Sequence, residues 1–203
     1  MKWIRELQAI SQTGLHFGED RYNRERYEQI GKIAAEMLSE ISNLPVDEIL
    51  NFNKAEFGYA TPKVDVRGVI FRTGKILLAR EVADADRWTI PGGWADVNEA
   101  PSVATAREVR EETGFDVSVK KLLAVYDRDT QGHQPPHPCT VYKHFFLCEI
   151  TGGKPQLNCE ISEIDFFDEN NIPPDLSTAR VTEKQIHRFF EHLKNPDMPT
   201  DFD

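Results

Sequence analysis

Gly93-Trp94-Ala95-Asp96-Val97-Asn98-Glu99-Ala100-Pro101-Ser102-Val103-Ala104-Thr105-Ala106-Arg107-Glu108-Val109-Arg110-Glu111-Glu112-Thr113-Gly114-Phe115 is the stretch on which the fold turns. Its second half predicts a helix over 102–113, with Gly114 at the position just past the helix end. At about 100° per residue, Glu112 falls roughly +40° and Glu111 roughly −60° from Glu108, so the three carboxylates share an arc of about 100°. Val103, Ala106 and Val109 fall on the other side and are the expected core face, while Arg107 flanks the arc, within reach of an acid such as Glu99. Like charges on one helix face repel. A hard divalent cation offsets that repulsion, because Mg²⁺ prefers carboxylate oxygens and can bind substrate phosphates at the same time. On spacing alone two readings stay open, a metal site and a solvated acidic face.

Working outward, strand grammar precedes the stretch. Val64 to Phe71 is rich in β-formers, Gly74 turns the chain into Ile76-Leu77-Leu78-Ala79, and Trp88 to Pro91 is a short strand that Gly92-Gly93 is expected to break. After Phe115, strands are expected at 117–119, 122–127, 141–150 and near 164–167, then a helix over about 182–193 and a polar tail. Residues 1 to about 60 are helical in pattern. Trp3, Ile4, Leu7 and Ile10 form a stripe that Gly14 is expected to end. After an N-cap at Asp20, the residues Tyr27, Ile30, Ile33, Ala34, Met37, Leu38 and Ile41 form a wide apolar face. Asn43, Pro45 and Asp47 punctuate the chain before a third short helix at 46–52. The composition shift at 58–62 divides the chain into a helical module, 1–60, and a larger domain, 61–203.

Composition narrows the function classes. The 203 residues carry a formal net charge of −10, which argues against an extended nucleic-acid-binding surface. A small anionic substrate fits that charge if cations mediate the contact. No apolar run approaches the length of a membrane span, and the first residues lack the apolar core of a signal peptide, so a cytoplasmic protein is expected. Cys139, Cys148 and Cys159 form no CxxC pair and are read as reduced, mostly buried thiols.

The segment resembles the signature of the Nudix hydrolases, G-x5-E-x7-R-E-U-x-E-E-x-G-U, with U a bulky apolar residue. Gly93, Glu99, Arg107-Glu108, Val109, Glu111-Glu112, Gly114 and Phe115 match all nine constrained positions across 23 residues. The resemblance implies an α/β fold, an α/β/α sandwich around a mixed sheet, here with the N-terminal helical module added. It implies that Glu108, Glu111 and Glu112, with the Gly93 carbonyl, hold Mg²⁺ or Mn²⁺. It makes Arg107, Glu108 and Glu111 catalytic, with Arg107 orienting the glutamates. It also implies a further acid outside the signature, for which Glu163 is preferred over Glu160. The implied reaction is hydrolysis of a nucleoside diphosphate linked to a moiety X.

The N-terminal helices resemble those of hydrolases of X-linked nucleoside diphosphates, among them ADP-ribose and CDP-choline pyrophosphatases. That resemblance implies a homodimer, which would cover the apolar face. Substrate contacts are expected from Arg67 and from the 126–138 loop through Arg128, His133 and His137. Trp94 is a candidate for stacking on a base. Many ADP-ribose hydrolases carry a proline 15 residues past the signature, where this chain has Thr130. The alternatives are an RNA 5′-diphosphate-removing or RNA-trimming hydrolase and a non-catalytic sensor of nucleotide sugars. Against the first, residues 1–61 hold seven Lys/Arg and ten Asp/Glu, net −3 and no basic path. Against the second, every signature glutamate is present.

Overall fold

The computed structural model describes every residue except Asn43 and Phe57. Asn43, one of the expected breakpoints, lies outside the described residues. The chain divides into two compact units, Met1–Pro62 with Pro135–Thr140, and Lys63–Gln134 with Val141–Asp203.

The first unit holds helices α1 (Lys2–Phe17), α2 (Arg21–Ser42) and α3 (Val46–Ala55). Gly14 does not end α1. A Cβ there would lie 2.4 Å from the Tyr27 ring, so this glycine is where α1 and α2 cross closely. The Asp20 side chain accepts from the Asn23 amide at 2.9 Å, the expected cap of α2. Ile4, Ala34, Ala35, Leu38 and Ile49 form the core. Part of the predicted α2 face is not covered within the unit: Tyr27 and Ile30 are half-buried, but Ile33, Met37 and Ile41 are each more than 40% exposed, as are Trp3, Ile10 and Phe17 of α1. Arg5 donates to the His137 carbonyl, which ties the 135–140 segment into this unit.

The second unit is an α/β/α sandwich. Its strands are β1 (Lys63–Arg72), β2 (Lys75–Glu81), β3 (Arg87–Thr89), β4 (Gly92–Trp94), β5 (Phe115–Asp127), β6 (Val141–Gly153), β7 (Ile161–Phe167) and β8 (Asp201–Phe202). Its helices are α4 (Pro101–Thr113) and α5 (Glu183–Lys194). The sheet order is β3-β2-β1-β6-β5-β8, with β4 also on β1 and β7 also on β2. The sheet is mixed: β1 runs parallel to β6 and β5 to β8, while the other pairs are antiparallel. Strand alternation sends Val69, Ile76 and Leu78 to one core with Ile186, Phe189 and Phe190 of α5. It sends Ile70 and Leu77 to the other core with Val109 of α4.

Two sequence expectations are corrected here. Gly92-Gly93 does not break the strand region but forms β4, paired with Val66 and Arg67 of β1. The inner face of α4 is Ala104, Thr105, Val109, Glu112 and Thr113, while Val103 is 55% exposed. The reason is close approach: a Cβ on Gly68 would meet Val109 Cγ2 at 2.4 Å, so α4 sits directly on the bare backbone of β1. That contact fixes the helix rotation and carries Glu112 inward.

Candidate active site

Two carboxylates of α4, Glu108 and Glu111, are held by a single arginine. Arg107 Nε donates to both oxygens of Glu99 at 3.1 and 3.0 Å, and its terminal nitrogens reach Glu99 at 2.9 Å, Glu108 at 2.8 Å and Glu111 at 2.9 Å. One turn of helix separates Arg107 from Glu111, which gives the second grip. Among the described residues no three acids converge as a finished cage, and Arg107 bridges Glu108 and Glu111.

Glu112 faces the β4 turn. Its Oε2 accepts from the Gly92 amide at 2.8 Å. Burial pushes its carboxyl up to about 7 against the Arg67 charge and the Gly92 hydrogen bond, with the charges of Glu108 and Glu81 adding to the rise. Burial also raises the Glu108 carboxyl, against the Arg107 contacts. Gly93 lies against Glu108, where a Cβ would come within 2.8 Å of Oε2. These residues fit a divalent cation on three grounds. The donors are all oxygen. Two of the carboxylates, Glu108 and Glu112, are desolvated enough that burial raises their pKa in spite of Arg107 and Arg67. The backbone beside Glu108 is left clear by a glycine.

Behind the glutamates lies a buried polar cluster. Arg67 donates to Asp65 at 2.9 and 2.6 Å and to the Ile90 carbonyl at 3.0 Å. Lys143 donates to Asp65 at 2.6 Å. Burial alone would raise the Asp65 carboxyl, but Arg67 and Lys143 reverse that and hold it well below the usual carboxylate range. Arg128 and His133 border the cluster, and the Arg128 charge acts on both Lys143 and His133.

The expected substrate residues are thus placed unequally. Arg67 is 3% exposed, engaged by Asp65, with its charge acting on Glu112, so its contact is with the carboxylate site from behind. His133 is not offered to a phosphate: Nδ1 meets the Thr178 carbonyl at 3.1 Å, Nε2 meets Gln185 Nε2 at 3.1 Å, and burial lowers its pKa to about 3. It is a neutral pin between the loop and α5. His137 belongs to the first unit, where its Nδ1 is 3.2 Å from the Cys139 carbonyl. Trp94 is 48% exposed on β4. Glu163 stands opposite Arg80 on β2, with its carboxylate 3.3 Å from that guanidinium. Ile164 and Phe166 enter the α4 core, which puts Glu163 on the other face of β7. Glu160 is exposed, and its carbonyl accepts from Val82.

The extra acid that the fold brings to Glu112 is Glu81, whose charge acts on Glu112 and Arg67 and whose carboxylate is held by Arg180. Sequence pattern misses Glu81, Asp65 and Lys143 because each depends on pairing between distant strands. An acid or lysine within a β-rich apolar run is the one signal that marks them.

Residues 1–52 match the family model described as a UDP-X-like, N-terminal oligomerisation domain, and residues 61–189 match the NUDIX domain. A Bacillus subtilis (strain 168) chain provisionally named as an ADP-ribose pyrophosphatase is 40% identical over 205 aligned positions, which span 100% of this chain and 97% of that one. An ADP-ribose pyrophosphatase of Methanocaldococcus jannaschii is 36% identical over 120 positions, 57% of this chain and 67% of its own. Among solved structures, a UDP-X diphosphatase superposes with a TM-score of 0.65 at 35% identity, covering 100% of this chain and 97% of its own.

Proposed function

We propose that this chain, which belongs to the Nudix family and is one of its pyrophosphohydrolases, splits the diphosphate bond of a nucleoside diphosphate linked to X, with Mg²⁺ as its metal. The products are a nucleoside monophosphate and phosphorylated X. The observation that carries the reading is the Arg107–Glu99–Glu108–Glu111 fan beside Glu112 and the glycine turn. Glu108, Glu111 and Glu112, with the Gly93 carbonyl, would hold the divalent cation. Such a cation neutralises diphosphate charge and makes bound water a better nucleophile.

The protein's own groups do the rest. Arg107 fixes the rotamers of Glu108 and Glu111 and keeps their repulsion in check. The Gly92 amide and the Arg67 charge hold Glu112. Glu111, whose side chain is 58% exposed beside Arg107, would take a proton from the attacking water. Arg128, beside the buried cluster, supplies positive potential for the phosphates, while burial lowers the Lys143 pKa to about 7 and its amine serves Asp65.

Full-length similarity to a UDP-X diphosphatase and to an ADP-ribose pyrophosphatase relative puts UDP-X compounds and ADP-ribose first, with CDP-choline next. Purified protein with Mg²⁺ should convert at least one of these to the monophosphate, lose that activity in EDTA, and recover it when Mg²⁺ is restored. Faster release of diphosphate from 5′-triphosphate RNA than turnover of any of the three would overturn the reading.

The same reading makes the chain a homodimer built through its N-terminal module. Ile33, Met37 and Ile41 lie one turn apart along α2 and leave an apolar stripe uncovered within the unit. Light scattering should give a mass near twice 23.2 kDa, and a monomer across the micromolar range would refute this assembly.

A further inference from the structure

Residues 200–203 return to the sheet and clasp the turn that follows β5. Asp201 and Phe202 pair in parallel with Ala124 and Val125. The Asp201 carboxylate is locked from three sides, by Arg188 at 2.6 and 2.7 Å, His192 at 3.0 Å and the Tyr126 hydroxyl at 3.2 Å. That anchor places Asp203 over the start of the loop. Its Oδ1 accepts from the Thr130 hydroxyl at 2.6 Å and from Gln131 Nε2 at 2.7 Å, and its Oδ2 accepts from the Asp127 amide. Burial works against this carboxylate, yet the bonds from Thr130, Asp127 and Gln131 outweigh it and hold its pKa below the usual range.

On its inner side the same loop is pinned by Gln134 and His133 on the Thr178 carbonyl and by His133 on Gln185. Between the two sets of pins lies Arg128, 4% exposed, which the loop turns inward beside Lys143 and whose Nη1 is 3.5 Å from the Asp129 carboxylate. Ordering such a loop costs roughly 1–2 kcal/mol per residue in backbone entropy. The turn has bonds of its own, from the Asp129 and Thr130 amides to the Asp127 carboxylate, from the Thr130 hydroxyl to the Asp127 carbonyl and from the Gly132 amide to the Asp129 carbonyl, and the Arg128 amide donates to the Val141 carbonyl. The outer clasp adds three more, from Asp127, Thr130 and Gln131 to Asp203, and these are the bonds that tie the turn to the rest of the fold on its outer side.

We propose that Asp203, anchored through Asp201, is a positioning residue that holds the Asp127–Gln134 loop in the conformation that presents Arg128 to the substrate diphosphate. This rests on the reading of the chain as a diphosphate hydrolase. A ligand whose binding state is populated only part of the time binds more weakly by that fraction. Asp203→Ala frees one side of the loop and leaves the glutamates of α4 untouched. It should raise KM about tenfold, ~1.4 kcal/mol of binding, at unchanged kcat. Asp203→Asn keeps an acceptor for Thr130 and Gln131 and should lie between the two.

Hydrogen exchange on the peptide spanning 126–134 reads the clasp without any substrate and should quicken in Asp203→Ala. Unchanged exchange would show that Asp203 does not hold the loop. Faster exchange with KM unchanged, or a fall in kcat alone, would show that the loop does not serve the substrate. Either result overturns the proposal. Wild-type turnover in the same assay reports separately on the hydrolase reading.

Discussion

Glu112→Gln should lower kcat by roughly 10²–10³-fold, the size expected when a metal ligand worth several kcal/mol in the transition state is lost, and should raise the melting temperature of the metal-free protein. The two effects have one cause. Glu112 is 9% exposed, and burial pushes its carboxyl up to about 7. A folded pKa above the unfolded carboxylate value near 4.3 means that the native state binds more protons between those two values. Stability therefore falls as pH rises through that window, and the full cost of the buried charge is present above about 7. Glutamine removes the charge and keeps an oxygen for the Gly92 amide. At pH 8 in EDTA, each kcal/mol relieved should add ~2–4 °C to Tm. Arg67 keeps Asp65 as its partner, so the variant strands no cation. Thermal melts and a steady-state assay with Mg²⁺ check both halves. Activity within tenfold of wild type would remove Glu112 from the ligand set, and a lower Tm would show that its charge supports the fold.

How far the sequence predicts this arrangement depends on the range of the interaction involved. Spacing within one helix is local, so the arc of Glu108, Glu111 and Glu112 and the pairing of Arg107 with Glu99 follow from helix geometry and a short loop. The strands near Val64, Ile76 and Val141 are likewise visible as apolar β-rich runs. The rotation of α4 is not local. It is set by Gly68, 41 positions before Val109 (109 − 68), and the pattern of apolar residues on the helix points the wrong way because the buried face includes Thr105 and Glu112. Gly14 and Gly92-Gly93 mislead for a related reason. A glycine is a breaker by propensity, yet here the missing Cβ allows close packing of α1 on α2 and pairing of β4 on β1. The histidines of the 126–138 loop suggest phosphate contacts because their types are right, but the partners of His133 lie 45 and 52 residues away. Glu81 is hidden by a bulge in β2 and by its pairing with β7.

The largest effect on stability is expected at Asp65, whose carboxylate accepts from both Arg67 and Lys143. Asp65→Ala should cost about 3–5 kcal/mol, the range for breaking a buried ion pair from one side, and so lower Tm by ~6–20 °C for a chain of this length. The size follows from what is left behind. Arg67 loses two of its hydrogen bonds and Lys143 its contact with Asp65, while both stay almost fully buried. Lys143→Met is the contrasting variant. It deletes a buried amine whose pKa burial lowers to about 7, leaves Asp65 paired with Arg67, and should cost far less. In the Asp65→Ala/Lys143→Met double variant one of the two stranded basic groups is gone, so the combined loss should be smaller than the sum of the single losses. The pH dependence runs opposite to that of Glu112. The Asp65 carboxyl lies below its unfolded value, so its stabilisation is complete above about pH 4 and is lost only as pH falls toward the folded pKa. Melts of the three variants at pH 7 and pH 5 should rank identically. If Lys143→Met proved as damaging as Asp65→Ala, the cluster would be held by the lysine's packing, and charge pairing through Asp65 would not be what keeps Arg67 behind Glu112.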